Sequence, residues 1–311
     1  MTGYDALHDG AAWVQLAGRG KIRVSGEDRA RLLHAMTTNH IQQLAPGQGC
    51  YAFFLNAQGR ILADANIFCR EEDFLLDTEP ETAVKIYEHI DHYVIADDVA
   101  LENLPLTTIA LEGPRAEEVL RAAGGPVPKA EYEHEPWGVR TVARVSSTGA
   151  PGFFVFLASV ECDELLPGLE AAGAVAATAE EFRTVRIENG RPRYGEDISE
   201  RYIAQEANQP RALHFSKGCY LGQEIVERVR SRAQIHRVLM PLVIDTTEPP
   251  EPGTKLQAGG ADRAEITSAA LSRRSGKVVA LAYVRTELAK PGSQLDLGGA
   301  RAEVVQAAAA A

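Results

Sequence analysis

Apolar residues in the first hundred positions fall into short blocks separated by glycine or charged turns. Trp13 to Leu16 and Lys21 to Val24 form two blocks around Gly18 and Gly20. Cys50 to Leu55 and Arg60 to Phe68 form two more around the turn Asn56-Ala-Gln-Gly59, and Phe74 to Asp77 follows the charged turn Arg70 to Asp73. Blocks of this length, bounded by turn residues, predict strands. Two helices interleave with them. Ser25-Gly-Glu-Asp followed by Leu32, Leu33 and Met36 predicts a helix capped by Ser25 and closed off by Pro46-Gly47. After Pro80, Val84, Tyr87 and Ile90 share one helical face, and a strand around Val99 to Leu104 completes a small α+β unit.

The pattern then continues with a strand over Thr107 to Leu111 and a helix that starts at Gly113-Pro114 and ends at Gly124-Gly125. Strands around Val139 to Val145 and Phe153 to Leu157 flank the turn Ser147 to Gly152. Thr178-Ala-Glu-Glu181 is a capping box, and its helix carries Phe182, Val185 and Arg186 to a glycine stop at Gly190. Arg191 to Asp197 reads as loop. From Glu206 the chain is irregular until Gln223 to Arg230 turns helical. Beyond Arg237 the cadence changes to short strands, Val238 to Ile244, Thr254 to Gln257, Glu265 to Leu271, Lys277 to Val284 and Gln294 to Leu297, with Pro249 to Gly253 as a turn. That cadence predicts a small antiparallel barrel. Ala307 to Ala311 is a frayed end with no assigned role.

A length of 311 residues predicts two or three domains, and 45% apolar with 24% charged residues is the make-up of a soluble globular chain. The net charge of -11 argues against general nucleic-acid binding and against adhesion to an anionic membrane. No apolar run approaches a membrane span, and Asp5 and Asp9 stand where a targeting peptide is basic or free of acids, so a cytoplasmic protein is expected. Cys50, Cys69, Cys162 and Cys219 form no Cys-x-x-Cys pair and no zinc-type grouping, so no metal site is expected within the chain.

Chemistry concentrates in Lys217-Gly-Cys-Tyr-Leu-Gly-Gln-Glu224. A lysine near a cysteine raises the thiolate fraction, and Gly218 and Gly222 let the backbone come close to a ligand. A lone cysteine is equally well explained as a small buried hydrophobe. Asp64 lies among Ile61, Leu62, Ile67 and Phe68, either on the solvent face of its sheet or in a pocket that raises its pKa. Arg186, Glu188 and Asp197 could form a supporting ion-pair network or contact a ligand. Arg211, Lys217, Arg228, Arg230, Arg232, His236 and Arg237 crowd into one short stretch of an acidic chain. They are either a solvated face or a landing site for carboxylates, which guanidinium groups match bidentately.

The octet at 217–224 resembles the Lys-Gly-Cys-(Tyr/Phe)-x-Gly-Gln-Glu signature of the YgfZ-type folate-binding proteins, relatives of the glycine cleavage T-protein that serve iron-sulfur proteins. Asn56-Ala-Gln-Gly-Arg-Ile-Leu-Ala-Asp64 is similar to the T-protein segment that ends in paired aspartates. Asp64 falls on the second, catalytic one, and Ala63 replaces the first. Ser147 to Gly152 resembles that family's Gly-rich turn, but Phe154 stands where the following strand supplies a glutamate to the pterin ring. Arg191 to Asp197 is similar to a segment the family places under the active-site mouth, and the strands around Glu265 to Ser268 and Ala280 to Val284 are similar to its barrel.

The resemblance implies an α+β, three-domain cloverleaf: a discontinuous first domain (1–47 and 106–232), an inserted α+β domain (48–105) carrying Asp64, and a barrel (236–311). It implies tetrahydrofolate in a central channel where Asp64 and the signature loop meet. Cys219, Lys217 and Asp64 are then the catalytic candidates. Gly218, Tyr220, Gly222, Gln223, Glu224, Arg228, Glu188 and Asn39 are the candidates for lining the folate site. The function implied is that of a folate-binding accessory protein for iron-sulfur cluster assembly or repair, with iron-sulfur enzymes or assembly proteins as partners and the cluster met at most transiently. The alternative is a folate-dependent aminomethyl or one-carbon transferase of the T-protein type.

Overall fold

The structure is a computed structural model that describes residues 1–232 and 235–306. The alanine tail expected to fray and the Arg232 side chain lie outside the described residues. The chain opens with α1 (Gly3–Asp9) and β1 (Ala12–Gln15). It then runs through β2 (Gly20–Ser25), α2 (Arg29–Met36), β3 (Gly49–Leu55), β4 (Ile61–Cys69), β5 (Asp73–Thr78), α3 (Ala83–Tyr93) and β6 (Ala100–Asn103). Strands β2 to β6 make one antiparallel sheet in the order β3-β4-β5-β2-β6. Because β2 pairs with both β5 and β6, the sheet that carries Asp64 begins at Gly20, well before residue 48.

The second sheet is assembled from β7 (Leu106–Glu112), β8 (His134–Trp137), β9 (Arg140–Ala143), β10 (Gly152–Ala158) and β11 (Val175–Ala176), with β1 inserted between β11 and β7. Helices α4 (Ala116–Ala122), α5 (Cys162–Ala171) and α6 (Ala179–Glu188) accompany it. A strand from the start of the chain, β1, thus pairs with β7 and β11, far later in the sequence. Phe53, Leu55, Phe68 and Leu75 of the first sheet share a core with Phe154 and Phe156 of the second and with Tyr194 of the loop after α6. Phe68 and Phe156 meet edge to face at 5.4 Å, an arrangement that aromatic quadrupoles favour.

After α7 (Gln223–Arg232) come β12 (Arg237–Ile244), β13 (Lys255–Ala258), β14 (Ala261–Leu271), β15 (Val278–Arg285), β16 (Gln294–Leu297) and β17 (Ala300–Val304). They close into a barrel in the order β12-β15-β14-β13-β16-β17, with β17 returning to β12. Leu242, Ile244, Ile266, Val278, Val284 and the small Ala280 and Ala282 fill its interior, as a narrow barrel requires. The register of β14 slips between Ile266 and Ser268. A bulge of this kind re-aims side chains, and here Thr267 and Ser268 both donate to Asp197 Oδ1 at 2.6 Å.

Some local expectations are corrected. Ser25 does not cap α2: it stays in the ladder, paired with Asp73 and Ala100, and the helix begins at Arg29 behind Asp28. Gly26 makes the exit possible, with φ of 103° and the Asp98 carbonyl 2.0 Å from where a Cβ would sit. Five elements had no counterpart in the sequence pattern, namely α1, β8, α5, β11 and β17. The capping box at Thr178 forms as read, with Thr178 Oγ1 accepting from the Glu181 amide at 3.2 Å.

Candidate functional site

Asp64 lies on β4, paired with Phe53 of β3, and is 6% exposed. Its side chain points into a cavity of about 430 Å³ between the two sheets and α6, walled by Tyr51, Val145, Phe154 and Phe182. Of the two placements open to it from sequence, the pocket is the one observed. The Tyr51 hydroxyl donates to Asp64 Oδ2 at 2.6 Å, and Thr78 Oγ1 donates to its backbone carbonyl at 2.8 Å. Among the described residues nothing donates to Oδ1, which leaves that oxygen for a ligand. Burial, with Glu79 adding to it, pushes the Asp64 carboxyl up to about 6, while Tyr51, Arg19 and Arg211 act in the other direction.

Behind the carboxylate is a second buried charge cluster. Arg19 forks onto Asp77 at 2.9 and 2.7 Å and also meets Glu79; Lys21 Nζ is 2.9 Å from Asp77. Asn66, two residues along β4 from Asp64, donates to Asp77 at 2.9 Å. The paired cations hold Asp77 well below the usual carboxylate range despite its burial, so Asp77 stays ionised while its neighbour Asp64 titrates near neutrality.

Six arginines line the cavity: Arg19, Arg183, Arg186, Arg191, Arg193 and Arg211. They come from the turn before β2, from α6 and from the loops that follow it. Arg211 lies over the Tyr51 ring, 4.3 Å from its centroid, and donates to Tyr132 Oη at 2.6 Å. Arg193 pairs with Glu79 at 3.0 Å and with Glu81, and Arg183 with Glu196 at 3.1 Å. Of these, the sequence singled out only Arg186 and Arg211. Arg191 and Arg193 belong to the loop from Arg191 to Asp197, which the sequence singled out only as a segment, and Arg19 and Arg183 lie outside any motif.

Phe154 is where the matched glutamate position was expected, buried on β10 as part of the cavity wall, with the Arg19 guanidinium 5.5 Å from its ring. Asn39 borders the site without entering it: Nδ2 donates to the Tyr51 carbonyl at 3.0 Å and the Arg211 carbonyl at 2.9 Å. Arg186 and Asp197 form the supporting network considered from sequence, at 2.7 Å. Glu188 does not join them. It accepts from Tyr4 Oη at 2.5 Å and lies 2.8 Å from His8 Nε2, on the α1 side of α6 and outside the cavity lining.

None of residues 217–224 lines the Asp64 cavity. Cys219 is exposed, and Gly218 and Glu224 are exposed beside it. Lys217 is buried and donates to the carbonyls of His34 at 2.5 Å, Thr37 at 2.6 Å and Asn39 at 2.8 Å. It therefore ties the loop to the C-terminal end of α2, with no hydrogen bond to Cys219. Burial pushes Lys217 down to about 7, against which the three carbonyls solvate the ammonium. Its Nζ is 4.7 Å from the centroid of the Tyr220 ring, which packs on the shared core. Gly222 has φ of 83°, and a Cβ there would lie 2.7 Å from the Asn56 carbonyl oxygen. That close approach docks α7, whose N-terminal residues are Gln223 and Glu224, onto the β3–β4 turn. Arg228 is exposed on α7. Among the described residues no three His, Cys, Asp or Glu side chains are gathered as a metal site, and no helix is long and apolar enough to cross a membrane.

The fold recurs among known proteins. An aminomethyltransferase of Rubrobacter xylanophilus is 28% identical over 293 residues, covering 91% of this chain and 78% of its own. A chloroplastic protein of Arabidopsis thaliana, named as a transferase, is 28% identical over 294 residues, covering 92% of this chain and 68% of its own. The crystal structure of the glycine cleavage system aminomethyltransferase T from Bartonella henselae superposes with a TM-score of 0.89 over 98% of this chain and 87% of that one, at 21% identity. The fold is therefore the α+β T-protein fold with its closed antiparallel barrel. Residues 3–217 match the GCVT N-terminal domain and residues 237–310 the glycine cleavage T-protein C-terminal barrel domain, and the chain belongs to this GcvT family.

Proposed function

We propose that the chain is a tetrahydrofolate-dependent one-carbon transferase of the aminomethyltransferase type that works in the Asp64 cavity. The observation that carries this reading is Asp64 itself: a buried carboxyl near 6, oriented by Tyr51, with one oxygen turned to the cavity. A group titrating there takes or gives a proton at physiological pH, which suits general acid–base work at a folate nitrogen. When ionised it also opposes positive charge that develops on a bound one-carbon unit.

The cavity suits a folate. Its volume lies in the range of small-molecule sites, and Tyr51, Phe154 and Phe182 offer flat apolar faces to a ring system. Arg183, Arg193 and Arg211 offer guanidinium groups to the carboxylates of a glutamyl tail. Phe154 removes one carboxylate partner for the ring, and Asp64 and Asn66 are the polar groups left on β4 to orient it. The folate supplies the one-carbon-accepting nitrogen; the protein orients it, excludes water and manages the proton at Asp64.

A second reading keeps the YgfZ-type accessory role toward iron-sulfur enzymes. Its support is the exposed Cys219 within the intact signature, held on a loop that Lys217 anchors from below. A cytoplasmic location belongs to the same proposal.

Calorimetric titration with tetrahydrofolate tests the transferase reading. Under the transferase reading the wild type binds, Asp64→Asn and Arg211→Ala bind more weakly, and Cys219→Ser binds like the wild type. No saturable binding in any form sinks it.

A further inference from the structure

A second cavity, of about 580 Å³, shares no lining residue with the first. Its floor is the outer face of the barrel, and its opposite wall is formed by Arg60 on the β3–β4 turn together with Ile203 and Glu206. On the barrel, Arg237 of β12 stands directly opposite Arg285 of β15. Ala264 of β14 pairs with Val284, so Arg263 falls on the same rung from the other side. Arg285 and Tyr283 are two residues apart and share a face. Tyr283 stacks outside the barrel on Tyr202 with ring centroids 3.5 Å apart, so the arginine rung faces outward into the cavity.

Three arginines side by side across neighbouring strands are an electrostatic cost. Like charges directly opposite on a sheet destabilise it, and nearby acids relieve only part of the strain. Glu206 is 3.1 Å from Arg237, Glu287 is 3.2 Å from Arg263, and Glu265 is shared between Lys255 and Arg201. Arg285 enters no ion pair among the described residues, and the Arg60 guanidinium donates only to the Arg201 carbonyl. Five side chains of fixed positive charge line this cavity against three carboxylates, on a protein whose net charge is -11. A basic cluster left only partly neutralised in an acidic protein is what a site for an anion requires.

We propose that this cavity is a second ligand site, taking a small compound with a compact oxyanion of two or more negative charges, gripped by Arg285, Arg263 and Arg60. The shared chemistry is that of a phosphate ester or of adjacent carboxylates, both of which guanidinium forks match bidentately. The size and concavity of the site favour a small molecule.

The test is calorimetric titration of the full chain with inorganic pyrophosphate and, separately, with citrate, each against chloride at equal ionic strength. At least one of the two binds saturably; tighter pyrophosphate names a phosphate compound, and tighter citrate a polycarboxylate. Arg285→Ala lowers that affinity by about tenfold or more, equivalent to about 1.4 kcal/mol, and Asp64→Asn leaves it unchanged. Without ligand, Arg285→Ala melts at or above the wild type, since the rung loses a repulsion, while the rise in melting temperature given by the anion is lost. Absence of saturable binding by both anions, equal affinity in Arg285→Ala, or a lower melting temperature for unliganded Arg285→Ala overturns the proposal, the last by showing that Arg285 is a structural partner.

Discussion

Asp64→Asn should stabilise the protein, and only above acid pH. The native carboxyl is raised from 3.8 to about 6, chiefly by burial. A raised carboxyl sets the sign. Below 3.8 folded and unfolded chains are both protonated and the residue is neutral in the balance. Between the two values the unfolded chain has released its proton while the native one keeps it, so stability falls as pH rises; above 6 the loss is complete. At about 1.36 kcal/mol per unit the full loss is on the order of 3 kcal/mol, a large share of an ordinary domain's stability. An asparagine keeps the size and can still accept from Tyr51, but carries no titration. Its packing and hydrogen-bond differences are the same at every pH and cancel when two pH values are compared. Urea unfolding at pH 4.5 and 7.5, followed through Trp13 and Trp137 of the second sheet, should show the Asp64→Asn effect rising by about 2 kcal/mol between them. An effect that is equal at both pH values, or that moves toward destabilisation at 7.5, refutes the account of Asp64 as a buried, elevated acid.

Tyr51→Phe removes a donor to the ionised form of Asp64; its titration, followed by carbon-13 shifts of labelled aspartate, should move up by about 1–2 units. Asp197→Ala takes from buried Arg186 one of its two carboxylate partners, Glu196 being the other, and leaves Ser268 without its acceptor, and should cost about 2–4 kcal/mol in urea unfolding. Gly222→Ala forces a side chain into a left-handed position against the Asn56 carbonyl and should destabilise by about 1–2 kcal/mol or more, read as a lowered melting temperature. Brief iodoacetamide treatment of the native protein should label Cys219 and spare Cys50, Cys69 and Cys162, checked by peptide mass; labelling of the buried three at the same rate contradicts their packing.

How far the sequence speaks depends on the range of the interactions involved. Thr178 and Glu181 are three residues apart and cap each other, so the start of α6 is local and legible. The barrel strands are read from alternation within each strand, and their closure follows from number and spacing. The helix α1 has an equally local signal, the Thr2 and Asp5 capping box, but its seven residues are too few for a visible apolar period. Ser25 shows the limit of the capping rule: a pairing with Asp73 and Ala100, invisible in a local window, keeps it extended. Asp64 could be singled out as a carboxylate in an apolar strand, yet its proton affinity depends on Tyr51, Glu79 and Arg211, which only the folded chain brings together. The signature octet drew attention to Lys217 as a partner for Cys219. The structure spends its ammonium on three carbonyls of the α2 terminus, contacts across about 180 residues that no spacing rule contains.

Asp197 also has a bearing on how the chain is made. This carboxylate, fully buried, takes Arg186 from α6 and Thr267 and Ser268 from the barrel, so its last two donors leave the ribosome some seventy residues after it does. Until β14 arrives, the nascent chain holds an acid provisioned for a neighbour not yet synthesised. The seam cannot set from the N-terminal side alone, and a messenger truncated before β14 should yield a product open to degradation at the loop from Arg191 to Asp197.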